Sequence, residues 1–354
     1  MFNLAVDRDH VTLAFGLKWI EALARHFDHI DVVTMTIGVY ELPKNVTVWS
    51  LGKERNFPEF LRALRFYGII AKILKKRRIG IVFTHMIPVF AVLFWPVAKL
   101  TRLRNVMWYA HKSVTPVLQI AHHAVDRVVT STPEGFRLPS SKISYIGQGI
   151  DSSIFVFRER SEASVLRLIT VGRIAPSKGL ELLVDALAKW TATSWHLTIV
   201  GDGADDNERR FAHDIRERAG SVLGPSRVTF TGRLDPPEVA GRLADSDVFL
   251  NLSTNGSLDK AIVEAMASGC PVLSSNDAFC ALAKAEGIPG AILRPDVASV
   301  HEALSRMASA SPDERRRIAE MQSSLASSNH ALPGLIKRLT EVLIAESRRA
   351  GVVG

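Results

Sequence analysis

RLITVGRIAPSKGLELLVDAL, residues 167–187, is the stretch on which the fold turns. After Arg167, its opening LITV is a short run of apolar and β-branched residues, as in a buried strand. Gly172 to Gly179 form a short loop holding one proline and two glycines, and LELLVDAL has a helical apolar period. Strand, tight loop and helix in immediate succession make a βα unit, the building block of parallel sheets. The unit recurs downstream, with strands expected at HLTIV (196–200), VTFT (228–231), VFLN (248–251) and PVLSS (271–275), and a short one at AILR (291–294). Upstream, strands are expected near 2–6, 31–35, 46–49, 81–84, 106–110, 127–130 and 143–146. Helix-like stretches such as GLKWIEALARHF (16–27) and PEFLRALRFYGIIAKILKK (58–76) lie between them.

Residues 151–165, DSSIFVFRERSEASV, lose periodicity and gain charge and serine, so a linker is expected there. The chain then divides into an N-terminal Rossmann-like domain (1–150), the linker (151–165), a second Rossmann-like domain (166–330) and a C-terminal helix (331–354) packing back toward the first. A length of 354 residues supports two cores better than one, and 47% apolar against 23% charged residues excludes a disordered chain. Two cysteines, Cys270 and Cys280, without a Cys-x-x-Cys pair, argue against a disulfide scaffold or structural zinc and suit a reducing cytosol. The N-terminus lacks the basic and apolar regions of a secretory signal.

Two doubly wound parallel-sheet domains would face a central cleft, with ligands outside the carboxyl ends of the strands. Gly172-Arg173, Gly201-Asp202-Gly203, Gly232-Arg233, Ser253-Thr254-Asn255-Gly256 and Asn276 follow the strands of the second half; Asp7, His85 and His111 follow strands of the first. Glycines that admit a close backbone, and helix-start N–H groups that favour anions, point to a phosphorylated ligand. Arg173 and Lys178 suit a diphosphate, one as a planar fork and the other as a point charge, and on spacing alone read equally well as solvated loop cations. Glu264 falls on the first or second turn of the next helix. There it either faces inward toward a partner such as ribose hydroxyls or is an ordinary exposed glutamate.

VGRIAPSKG, GDGAD, VTFTGRL and SLDKAIVEAMASGCPVLSS together resemble the nucleotide-sugar domain of glycosyltransferase family 4, and WYAHKSV, AVDRVVTSTPEGFRL and ISYIGQGID resemble that family's acceptor-side domain. The resemblance implies a GT-B fold and a retaining transfer of sugar from a nucleotide diphosphate sugar to a glycan, glycolipid or similar acceptor. It implies no bound metal and no cofactor, since the sugar nucleotide is a substrate. On matching positions, Arg173 and Lys178 would hold the diphosphate and Glu264 the ribose. Gly256, Ser257, Leu258, Asp259 and Lys260 would present backbone N–H groups to the donor, beside Gly172 and Gly203. His111 would lie by the transferred sugar. Gly16, in the loop before the first helix, would let that loop close over phosphate, and Arg233 would sit near the base. The family places two glutamates with seven residues between them. Here Gly256 stands where the first belongs, and Asp259 or Ser257 is the candidate substitute. Other readings are a non-catalytic sugar-nucleotide-binding subunit and another GT-B reaction such as epimerisation.

Charge and apolar patterning bear on partners. Residues 1–150 carry 20 Lys+Arg against 10 Asp+Glu, a balance of +10 within a net charge of +8, so an anionic partner is expected on that half. No nucleic-acid motif accompanies the charge. The apolar stretch 79–100 is broken by Gly80, His85, Pro88 and Pro96 and reads as a strand and a helix, not a membrane span. Residues 61–78 mix Arg62, Arg65, Lys72, Lys75, Lys76, Arg77 and Arg78 with apolar side chains at helical spacing. They read either as a membrane-docking face or as a core-packing helix with solvated cations. A cytoplasmic protein, peripheral at the inner face of a membrane, is the resulting expectation. Asp7-Arg8-Asp9 spells a metal-binding pattern of another glycosyltransferase fold but follows the first strand of this one. His122-His123 read as solvated helix residues, and His10 and His85 as structural or ligand-lining.

Overall fold

The computed structural model describes residues 1–9, 15–161, 163–253 and 256–349. They form two compact units, Met1–Gly147 with the chain from Pro333 onward, and Gln148–Leu332. The first contains β1 (Phe2–Val6), α1 (Phe15–Ala24), β2 (Ile30–Ile37), β3 (Val46–Ser50), α2 (Glu59–Lys76), β4 (Val82–His85), α3 (Pro88–Thr101), β5 (Asn105–Trp108), α4 (Pro116–Ala124), β6 (Arg127–Thr130) and β7 (Ile143–Tyr145). The second contains β8 (Leu166–Val171), α5 (Leu180–Lys189), β9 (Trp195–Val200), α6 (Asp206–Leu223), β10 (Val228–Gly232), α7 (Pro236–Ala244), β11 (Val248–Asn251), α8 (Lys260–Ala267), β12 (Val272–Ser274), α9 (Asp277–Glu286), α10 (Val297–Ser309) and α11 (Pro312–His330). The last helix, α12 (Leu332–Arg349), runs back into the first unit.

Both sheets are wholly parallel. The seven strands run in the order β3-β2-β1-β4-β5-β6-β7 and the five in the order β10-β9-β8-β11-β12. Each order reverses once, between β1 and β4 and between β8 and β11, and such reversals open a crevice at the carboxyl edge of a sheet. Helices cover both faces of the second sheet. Leu168, Leu197 and Ile199 pack with α5, α6 and α10 on one side, and Ile169, Val200 and Phe249 with α7, α8 and α9 on the other. Alternate residues of one strand therefore enter different cores, which is why these strands read as continuous apolar runs.

Two expectations change. AILR is no strand: Ala291 makes a single bridge to Ser274, and Leu293 is 83% exposed as the chain turns toward Pro295. The stretch 151–165 is not a free connector either. It belongs to the second unit, where Phe155 is buried with Ile150 and Phe279. Most of its described residues are exposed, and its lost periodicity reflects both that exposure and an irregular backbone. The chain passes from the first unit to the second at Gly147, one of two glycines with positive φ flanking Gln148. On α12, Leu335, Ile336, Leu339 and Leu343 are buried at helical spacing, and Glu346 pairs with Arg104 (2.7 Å) and Arg127 (3.3 Å) at the starts of β5 and β6. No helix of the described residues is long and apolar enough to cross a membrane.

Candidate sugar-nucleotide site

The carboxyl ends of β8, β9 and β10 continue as a stitched set of loops. The Gly172 N–H donates to the Val200 carbonyl (3.0 Å), that of Gly201 to Gly232 (2.8 Å) and that of Ile174 to Asp202 (3.1 Å). A Cβ on Gly201, which has φ +129°, would overlap the Gly172 carbonyl oxygen, and one on Gly203 would overlap the backbone of α6 at Arg209. These two glycines are required by close approach. Beyond them, the buried Ile174 and Ala175 anchor the loop, Pro176–Lys178 form one 3-10 turn, and Gly179 starts α5 from the left-handed region.

This construction places Arg173 and Lys178 at the carboxyl edge of the sheet, where each meets a carboxylate, Lys178 on the β11 side at the reversal of strand order and Arg173 on the β9 side. Lys178 Nζ pairs with Asp259, which lies in the loop after β11; the two side chains are only 14% and 15% exposed. Asn251 Nδ2 also donates to Asp259 Oδ2 (3.2 Å). Arg173 Nη1 donates to Glu208 Oε1 (2.6 Å), and Glu208 is itself held by the Ala204 N–H (2.9 Å). The pairing of each cation with a distant acidic residue, Asp259 in a loop and Glu208 in the first turn of α6, was not foreseen, because nothing in linear spacing links residue 178 to 259 or 173 to 208.

Asp259 occupies the N-cap of α8 yet makes no side-chain cap bond. Its carboxylate serves Lys178 and Asn251 instead, leaving the first N–H groups of the helix without a capping side chain. Gly256 is buried and Ser257 half-buried, while the Leu258 side chain lies in the core with Ile262, so only its backbone is available to a ligand. Asn276, the N-cap of α9, props this turn: its Nδ2 donates to Ser253 Oγ (3.2 Å) and to the Ser257 carbonyl (3.1 Å). A polar asparagine ending each of two apolar strands was the signal for Asn251 and Asn276. Thr254 and Asn255 lie outside the described residues.

Glu264 is buried, not an exposed helical glutamate. Burial pushes its carboxyl above the ordinary value, opposed by Lys260 at 3.0 Å and reinforced by Asp259. Lys260 therefore meets the site through Glu264. Arg233 follows β10 on the exposed side of the same edge.

In the first unit, Gly16 is corrected: it is the second residue of α1, not a loop residue, and lacks a Cβ where Asn3 Nδ2 would stand 3.3 Å away. Residues 10–14, including His10, lie outside the described residues. His111 follows β5. Its Nδ1 accepts from the Ser113 N–H (3.1 Å), which fixes the tautomer that carries a proton on Nε2, and burial, then Lys112, lower its pKa. His85 is a core residue against Trp19 and Phe83, pushed down to about 4 by burial. Asp7 Oδ1 accepts the Val39 and Asp9 N–H groups (both 3.1 Å), a loop anchor; His122 engages Ser140 and His123 the Gln119 carbonyl. After β6, the hydroxyls of Thr130, Ser131 and Thr132 are buried without a hydrogen-bond partner among the described residues, a cluster that sequence reading missed inside TSTPEG.

Residues 166–310 match the family Glycosyl transferases group 1. That stretch is similar to the group 1 glycosyltransferases. The match covers β8 through α10, and so every residue discussed above on the second sheet. Among relatives, a GDP-mannose-dependent alpha-mannosyltransferase of Mycolicibacterium smegmatis is 33% identical over 43% of this chain and 40% of its own length. Mannosylfructose-phosphate synthase of Agrobacterium fabrum is 25% identical over 44% and 38%. The chain thus spans about two fifths of each of these curated relatives. Anabaena HepE, solved with UDP and glucose, superposes with a TM-score of 0.75 at 16% identity, covering 98% of this chain and all of that one, and fixes the fold as GT-B.

The buried Glu264 yields a test. Between 4.5 and its raised folded value, the native state holds more protons at this carboxyl than the unfolded chain, so stability rises as pH falls through that window. Glu264→Gln removes the slope. Melting temperatures taken between pH 7 and 4.5 are expected to shift in favour of the parent as pH falls, whereas a constant difference would contradict the buried, destabilised carboxylate.

Proposed function

We propose that the chain is a family 4 enzyme that moves a sugar from a nucleotide diphosphate donor to a glycan, glycolipid or similar acceptor, with retention and without a metal. The supporting observation is the placement of Arg173 and Lys178 at the carboxyl edge of the second sheet, each already oriented by a carboxylate. Breaking the sugar–phosphate bond leaves negative charge on the departing nucleoside diphosphate. Cations fixed beforehand stabilise that charge more in the transition state than in the ground state. A donor diphosphate would take the place of Asp259 and Glu208 as partner to the two cations, which removes much of the reorganisation that catalysis would otherwise require.

The remaining roles follow. Glu264 receives the ribose hydroxyls, and backbone N–H groups of the 256–260 turn face the phosphates and sugar. Gly172 and Gly203 keep backbone close to the donor, and Arg233 contributes near the base. His111, neutral at physiological pH, donates from Nε2 to the donor sugar or phosphate. Gly16, placed in α1, has no direct role in this scheme. The acceptor is assigned to the first unit, on the resemblance of its WYAHKSV and TSTPEG segments to the family's acceptor-side domain. Lys178→Ala or Arg173→Ala is expected to lower turnover, read as nucleotide release in the presence of a chelator, by about 10² to 10³. Unchanged turnover in a folded variant would contradict the assignment.

A membrane-borne acceptor is supported by α2. Phe66, Ile69, Ile70 and Ile73 face the core, yet Phe60, Leu64 and Tyr67 form a second, outward apolar row, 69%, 65% and 39% exposed, on a helix rich in cations. An exposed apolar row with basic neighbours is the pattern of a peripheral membrane helix. Co-sedimentation with phosphatidylglycerol vesicles is expected at low salt, reduced at high salt and abolished by Leu64→Asp with Phe60→Asp. Absence of binding at low salt would contradict the docking.

A further inference from the structure

The amino edge of the seven-stranded sheet, opposite to every residue placed at the carboxyl ends of its strands, holds a cavity of about 550 Å³ within the first unit. Its body is apolar: Phe2, Leu23, Ile70, Ile73, Phe94 and Leu343 line it. Volume and lining match small-molecule pockets, which span roughly 300 to 1,000 Å³. Apolar space of this size favours an apolar occupant over water.

The rim carries the opposite character. Arg77 and Arg78, where α2 ends, and Arg348, near the end of α12, border the opening. Ser347 Oγ donates to the Gly80 carbonyl (2.9 Å), holding the two rims together. Arg77 is half-buried, 3.7 Å from Asp31 Oδ1, too far for a hydrogen bond, and its Nη1 has no acceptor among the described residues. Asp31 is already engaged by Trp49 Nε1 at 2.8 Å. Arg77 is ion-paired with Asp31 inside the rim, whereas Arg78 and Arg348 are exposed at the mouth beside one further carboxylate, that of Asp28. Two exposed guanidinium groups at the mouth of an apolar hole recognise an anion whose other end is greasy.

We propose that this cavity binds one acyl chain ending in an anion, with the chain among the apolar residues and the carboxylate or phosphate head on Arg78 and Arg348. The site is separate from the sugar-nucleotide residues, so it stands or falls independently of the proposed transfer. The head can belong to a free fatty acid or to a membrane lipid; the chemistry recognised is the same.

The test uses the whole chain in vesicle-free buffer with a dansylated undecanoic acid, whose emission shifts on entering apolar surroundings. Saturable binding of one probe per chain is expected, displaced by hexadecanoate or by lyso-phosphatidylglycerol; the tighter competitor identifies the source of the chain. Leu74→Trp, which fills the cavity, is expected to weaken the probe at least about tenfold, and Ile344→Trp at the rim serves if that variant does not fold. Arg78→Glu with Arg348→Glu is expected to weaken hexadecanoate by about tenfold while leaving hexadecanol unchanged. The proposal is overturned by absence of saturable binding, by displacement with neither competitor, by full binding in both folded tryptophan variants, or by equal loss of hexadecanoate and hexadecanol in the charge variant.

Discussion

The ion pair of Lys178 with Asp259 is the contact on which the second unit's chemistry depends. It ties the loop after β8 to the loop after β11, the two loops that flank the reversal of strand order. Desolvating both charges is costly, and the pair persists because Asn251 adds a hydrogen bond and the strands on either side fix both loops. The consequence is an ammonium group whose position is set before any ligand arrives. Arg173 is set in the same way by Glu208, which is anchored to the start of α6. Such preorganisation is the way a protein makes a point charge act on a reaction without rearranging during it.

The same constraint explains the departure at Gly256. Where the family motif would put a first carboxylate, the chain has none, and the acidic group of the turn is Asp259, directed to Lys178. Asp259 gives up ordinary helix capping for that contact, and the buried network of Asn251, Ser253, Ser274 and Asn276 holds the turn that capping would otherwise have tightened.

Much of the fold was legible because parallel strands buried on both faces are continuous apolar runs, and those runs locate all twelve strands to within two residues at either end. AILR misled because an alternating apolar pair beside a sheet edge looks like a strand until Pro295 ends it. The charge and serine of 151–165 do mark exposure; what composition did not reveal is that Phe155 fixes the stretch to the core of the second unit. Of the site, the residues that follow strands could be read in order, since parallel topology delivers every carboxyl end to one edge. Their partners could not. Glu208 and Asn251 are polar residues whose meaning lies in contacts with distant residues, Asn276 was placed at this edge but not as the prop of the Ser257 turn, and the burial of Glu264 depends on α8 facing inward.

The two units divide physical labour. Fixed charge and close backbone approach dominate the second, whose net charge is near balance, whereas the first carries the excess cations, outward apolar rows and unpartnered hydroxyls. The most direct measurement is a crystal structure of the chain grown with a nucleoside diphosphate. Diphosphate oxygens within hydrogen-bond distance of Lys178 Nζ and the Arg173 guanidinium, with Asp259 and Glu208 displaced from them, are expected. A nucleotide bound with its phosphates remote from both cations, and both ion pairs intact, would contradict the central claim.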